Sequence, residues 1–201
     1  MCQKSDNLIG RDFKSDTPLT KAVTDITELK GNNGKIYLSG IFDCFDLMPL
    51  SLVMEDNMKA KMCCQTVKNA KKAYPDIKGC IIHSDRGSQY TSEEYRKTLE
   101  ECGIIQSMNS AGGRCHDNAR CESIWARMKE ELFYSRKDRS ENYTKEELKT
   151  KIRRYFMSYR KNRRICTVNG GQPQNSIVAF ISAHVKGKPL RRWLECLRLE
   201  I

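Results

Sequence analysis

The chain has no apolar run approaching the roughly 20 residues a bilayer span demands. Its N-terminus, MCQKSDNLIGRDF, lacks the apolar core of a secretory signal. A membrane protein is therefore not predicted, and the expectation is a cytoplasmic one. None of the ten cysteines forms a C-x-x-C pair: Cys63 and Cys64 are adjacent, Cys115 and Cys121 lie six apart, and the others are scattered. The three histidines, His83, His116 and His184, do not stand at finger-like spacing from them. A disulfide framework and a zinc finger are set aside, and small buried thiols are expected. No internal repeat is present, and no Ser, Cys or His nucleophile is evident. Net charge is also missing from most of the chain. Residues 1–132 balance at 19 Lys and Arg against 19 Asp and Glu, whereas residues 133–201 hold 17 against 6, so the whole excess of +11 lies in the last third. Such a block is either a solvated helix face or an electrostatic footprint for a polyanion, most simply nucleic acid.

What is present describes one globular core. The 201 residues are 39% hydrophobic and 30% charged, enough for a single core with a small appendage. After a polar stretch over 1–17, alternation predicts a strand from Leu19 to Leu29, with Ala22, Thr24 and Ile26 on one face and Val23, Asp25 and Thr27 on the other. The run KGNNGK (Lys30 to Lys35) is a hairpin turn. A returning strand spans Ile36 to Asp43, and a third spans Leu47 to Met54, placed at a sheet edge by Pro49. The period then changes. Asn57 is positioned to cap a helix that ends before Pro75, with Ala60, Cys63, Val67 and Ala70 on one face. Cys80 to Ile82 is a short apolar run, as in a strand covered on both faces. Thr91 and Glu94 form a candidate capping box, with Gly103 as the stop. A short strand from Ile104 to Met108, a loop NSAGGR and a helix from about Asp117 to Phe133 follow, the helix striped by Cys121, Ile124, Met128 and Leu132. Thr144 and Glu147 open a basic helix with Leu148, Ile152, Tyr155, Phe156 and Tyr159 inward. This order predicts an α/β fold with a five-stranded mixed sheet and helices on both faces.

Three acids stand out. Asp25 lies mid-strand, where a charge is costly unless paired or bound to a cation. Asp85 ends the apolar run in IIHSDRGSQY, and Glu122 sits in the first turns of a helix. If the first and fourth strands are neighbours, Asp25 and Asp85 lie side by side, and the helix need only pack across that edge to bring Glu122 in. Converging carboxylates repel, and hard divalent cations with oxygen ligands relieve this, selecting Mg²⁺ or Mn²⁺; two such ions can activate water or a 3′-hydroxyl at a phosphodiester. Each acid also has an ordinary reading: Asp85 as a turn former, Glu122 as a solvated helix residue, Asp25 as a structural charge. Asp117 reads as a helix cap and Asp43 as structural. Lys129, seven residues after Glu122, shares its helical face, and is either a phosphate partner or a surface lysine.

The motifs TDIT, HSDRGSQYTSEEY, GIIQSMNS and DNARCES, in this order, resemble insertion-sequence transposases of the DDE type whose catalytic core is akin to retroviral integrases. The resemblance runs from about Asn7 to Phe180, closing with YRKNRRICTVNGGQPQNSIVAF. It implies a ribonuclease H-like fold, Asp25, Asp85 and Glu122 as catalytic and metal-binding residues, and Lys129 as basic partner of the last acid. It further implies cleavage at element ends and joining of a 3′-hydroxyl to target DNA, by a bacterial, nucleoid-associated homo-oligomer. There are departures. The 36 residues between Asp85 and Glu122 are one more than usual, which a loop absorbs. Ala22 stands where a tryptophan is common, and Asp46-Leu47 replaces a usual Ser-Arg. The helix-turn-helix region expected upstream is missing, so a separate helix-turn-helix protein is one expected source of specificity; an inactive DNA-binding remnant and a ribonuclease H-like nuclease are the alternatives. The expected layout is a linker (1–17), a catalytic core (18–134), a basic helical extension (135–180) and a tail of unassigned role (181–201).

The basic helix, with Lys149, Arg153, Arg160, Lys161, Arg163 and Arg164, is expected to contact DNA backbone. Replacing Lys149, Arg153 and Arg160 together by Ala should weaken binding by a similar factor on every duplex in a salt-controlled binding assay; a loss confined to one sequence would show base reading instead.

Overall fold

The computed structural model describes residues 6–10, 12–110, 119–136, 138–160, 165–166 and 172–173. Strand β1 (Lys21–Gly31) turns at Asn32-Asn33 into β2 (Gly34–Asp43), and β3 (Pro49–Glu55) follows. Helix α1 (Ala60–Ala73) leads to β4 (Ile81–Ser84). A short helix α2 (Ser88–Thr91) and α3 (Glu93–Cys102) then precede β5 (Ile105–Met108). Helix α4 (Ala119–Leu132) and α5 (Lys145–Arg153) complete the main elements, α5 running on as a π-helix over Arg154–Arg160. Two short strands, β6 (Ile165–Cys166) and β7 (Gln172–Pro173), pair with each other.

The five-stranded sheet has the order β3-β2-β1-β4-β5. The first three strands form an antiparallel meander, and β4 and β5 join parallel to β1. This is the mixed sheet the alternation predicts, with β3 on an edge as Pro49 requires. Alternate residues of β1 feed two cores. Ala22 packs with Cys63, Val67, Tyr95 and Leu99 of α1 and α3, while Val23 packs with Cys121, Ile124, Trp125 and Met128 of α4. Six cysteines among the described residues are free, and all but Cys102 are buried. Burial pushes the thiols of Cys44 and Cys63 up to about 12 and about 11, leaving them inert at neutral pH.

Several element ends differ from expectation by a residue or two. Helix α1 is preceded by Lys59 with no side-chain cap, so Asn57 does not cap it. The cap of α3 is Ser92, whose Oγ accepts the Tyr95 N–H at 3.2 Å, because Thr91 is already spent in α2. Gly103 closes α3 in the left-handed region at φ 68°, as expected. The capping box of Thr144 and Glu147 is complete. Asp117, most of the loop 109–116 and residues 174–201 lie outside the described residues. The segment before β1 is held on the sheet: the Leu8 N–H donates to Ser107 Oγ at 3.0 Å, and Ile9 is buried.

The hairpin turn also anchors the basic extension. The Asn32 N–H donates to the Tyr143 carbonyl at 2.9 Å, and the Lys145 N–H donates to Asn33 Oδ1 at 2.8 Å. A Cβ at Gly31 would stand 2.9 Å from the Tyr143 carbonyl oxygen and 3.1 Å from Leu148. Gly31→Ala should therefore destabilise the chain by about 1–3 kcal/mol in denaturant unfolding; an unchanged midpoint would mean that α5 is not docked on this turn.

Candidate active site

The parallel pairing of β1 with β4 sets Val23 opposite His83. Asp25 and Asp85 each lie two residues further along, so Asp85, just past the end of β4, stands beside Asp25 in the middle of β1. Asp25 shares its sheet face with Val23 and so points toward α4. Helix α4 settles on that face through Ile124, Trp125 and Met128, all at most 3% exposed. Each such burial is worth about 1.5–3 kcal/mol, whereas two partly solvated carboxylates at 4 Å repel by about 1–4 kcal/mol. Packing therefore outweighs repulsion and fixes Glu122, in the first turn of α4, near Asp25.

The electrostatics record this crowding. Burial, then Asp85 and Glu122, push the Asp25 carboxyl up to about 7, against the opposing pull of the Ile26 N–H and the Trp125 indole. The pKa of the buried Cys121 thiol is raised by burial, and further by Asp25, Cys44, Glu122 and Asp85. Lys129 is half-buried on the same helix; burial lowers its pKa, while Glu28 and Asp25 raise it. Asp25 thus lies within electrostatic reach of Asp85, Glu122 and Lys129. The acids are neighbours, not ligands already in place: among the described residues no three His, Cys, Asp or Glu side chains close into a metal-holding group. Asp85 Oδ1 accepts the Gly87 N–H at 2.9 Å, so the turn-forming reading of Asp85 is also realised. The donor set nonetheless suits a hard cation. It offers three carboxylates, one of them pushed up to about 7 by burial and its acidic neighbours, and the adjacent thiol is held protonated.

Two side chains frame the site that the sequence reading passed over. Arg120 donates from Nη1 to the Phe13 carbonyl at 3.1 Å and from Nη2 to the Cys44 carbonyl at 2.9 Å, pinning the start of α4. His83 bridges Ser107 Oγ at 2.9 Å and Asn109 Oδ1 at 2.8 Å beneath Asp85. Asn109 Oδ1 can only accept, so His83 Nε2 carries a proton and donates to it. Trp125 is missed too, although it falls on the α4 stripe beside Ile124; Gly40, a glycine inside a strand, was the available signal for a close approach there. Asp43 is structural as expected, its oxygens accepting the Leu19 and Phe45 N–H groups at 2.9 Å.

Of the basic residues, Lys149 stands 2.8 Å from Glu146 and 3.8 Å from Asp56. Surface pairs of this kind are weak and exchange readily for phosphate. Arg153 is exposed. Arg160 lies in the π-helix, while Lys161, Arg163 and Arg164 lie outside the described residues.

Residues 15–114 match the integrase core domain family. A transposase-like protein of Haemophilus influenzae is 37% identical over 175 residues, covering 85% of this chain and 76% of that protein. This chain belongs to the insertion-sequence transposases with an integrase core. InsK, the transposase named for insertion sequence element IS150 of Escherichia coli K12, is 34% identical over 85% of this chain, and the transposase named for IS1353 of Shigella flexneri is 33% identical over 83%. The chain spans 59% and 32% of the length of those two. The fold is that of retroviral integrases. A chain of the simian T-cell lymphotropic virus intasome superposes with TM-score 0.64 at 15% identity, over 94% of this chain and 63% of that one. The HTLV-2 integrase catalytic core, solved with magnesium, superposes with TM-score 0.54 at 17% identity, over 80% of this chain and 96% of that one. No helix among the described residues is long and apolar enough to cross a membrane.

The raised Asp25 pKa has a direct consequence for stability. Between about pH 4 and about 7 the unfolded chain has released this proton while the folded one keeps it, so the contribution is present at low pH and lost as pH rises through about 7. Metal-free Asp25→Asn should be more stable than the parent at pH 8, by about 1–3 kcal/mol after allowing for partial solvation, and no more stable at pH 4. Denaturant unfolding at the two pH values measures this; equal stability at pH 8 would contradict a crowded, desolvated Asp25.

Proposed function

We propose that this chain is the catalytic part of a divalent-metal-dependent polynucleotidyl transferase that cleaves DNA at element ends and joins the 3′-hydroxyl to target DNA. The observation that carries this reading is the Asp25 carboxyl, pushed up to about 7 by burial and by Asp85 and Glu122. A protein has little reason to keep three acids in such company unless a cation joins them. Asp25, Asp85 and Glu122 would hold the Mg²⁺ or Mn²⁺, as two ions. When bound, the ions supply Lewis acidity and a lowered acidity barrier for water or a 3′-hydroxyl. The chain's own residues do the rest. Ile124, Trp125 and Met128 exclude water behind Asp25, and Arg120 fixes the first turn of α4 so that Glu122 stays opposite Asp25. Lys129 faces the same space and offers a cation to the scissile phosphate. The extension over 135–180, with Lys149, Arg153, Arg160, Lys161, Arg163 and Arg164, would grip phosphates beside the core over 18–134.

Sequence recognition at the ends would come from a helix-turn-helix region, in a separate protein or elsewhere in the polypeptide. A homo-oligomer on paired ends in the nucleoid follows from this reading. Incubating the chain with labelled duplex carrying a recessed 3′-hydroxyl should give Mn²⁺- or Mg²⁺-dependent nicks and joined products, which Asp85→Asn reduces by about 10³-fold or more. Binding without turnover would identify an inactive remnant, and nicking without joining a nuclease.

A further inference from the structure

Behind Asp25 lies a buried donor with no assigned task. Trp125 is 3% exposed, and its indole Nε1 is buried with no hydrogen-bond partner among the described residues. Buried donors are almost always paired, and an orphan one is costly to keep. The ring is not loosely placed. Phe42 meets it edge-on at 5.1 Å and Phe156 at 5.8 Å, from β2 and from the helix that carries the basic extension. Gly40 explains how it fits. In the β1–β2 ladder Gly40 is the direct partner of Asp25, so their side-chain directions share a face. A Cβ at Gly40 would stand 2.9 Å from the Trp125 ring and 2.7 Å from Phe42. The absent side chain therefore leaves the place beside Asp25 that the indole occupies.

We propose that Trp125 is a positioning residue: its buried N–H is the donor reserved for the Asp25 carboxylate, fixing which oxygen faces the open site, and Gly40 admits the ring. The indole already acts in that direction, lowering the Asp25 pKa against the rise that burial causes. Donation favours the ionised carboxylate and one of its rotamers, so the acid is presented to a cation already oriented. Phe156 then ties the orientation of Asp25 to the basic helix, linking the DNA-binding surface to the acid through one aromatic contact. This inference rests on the reading of Asp25 as a metal-binding residue.

The test replaces Trp125 by 3-benzothienylalanine, which keeps the ring shape and lacks the N–H, and separately by Phe, in the full chain with Trp193→Phe. Thermal unfolding is followed across a MnCl₂ titration, so no turnover is needed. The expected result is a cooperative transition in both variants and a rise of about tenfold in the Mn²⁺ concentration giving the half-maximal shift. The same change made in Asp25→Asn should have no further effect. A half-saturation equal to the parent's in the benzothienyl variant would overturn the role of Trp125 and leave the metal reading standing. No Asp25-dependent Mn²⁺ response in the parent would overturn both.

Discussion

A carboxylate on the inner face of a sheet, roofed by a helix, is the constraint from which the rest follows. Asp25 is half-buried on the face that α4 covers, and α4 cannot lift away without exposing Ile124, Trp125 and Met128. The hydrophobic effect brings the helix down, and Glu122 comes with it. Asp85 is delivered independently by the parallel pairing of β4 with β1. Three elements distant in the chain thus converge for reasons unrelated to the acids themselves. The electrostatic strain appears at Asp25, as a carboxyl pKa pushed up to about 7. The same strain makes a divalent cation the natural complement of the site.

Supports around the site fall into two groups. Arg120 and His83 act on backbone and loops, one fixing the start of α4, the other joining β4 to β5 and the segment before β1. The aromatic group of Phe42, Trp125, Tyr155 and Phe156 packs the far side of the same face. Through it, and through the docking of α5 on the Asn32-Asn33 turn, α5 packs as part of the same folded unit as the sheet.

Much of this was legible in the sequence, because the signals were periodic or punctuated. Alternation in β1 separated the two faces, the Asn-Asn turn fixed the hairpin register, and Gly103 marked a helix end. The change from a period of 2 to one of 3.6 marked the passage from meander to α/β units. The acids were found because a charge mid-strand and a charge ending an apolar run break those patterns. The misses have physical causes. Asn57 and Thr91 are competent caps, but tertiary packing began the helices at Ala60 and Glu93. Trp125 was passed over because a tryptophan on an apolar stripe looks like core, and it is core; its polar edge matters only once Gly40 is known to lie opposite Asp25. Arg120 and His83 depend on long-range partners that no local pattern announces.

The most direct measurement is a crystal of the chain soaked in Mn²⁺, read by anomalous scattering. The account predicts density in contact with both the Asp25 and Asp85 carboxylates, with Glu122 turned toward the same site. Manganese bound elsewhere while Asp25 and Asp85 remain without a shared ion would contradict it.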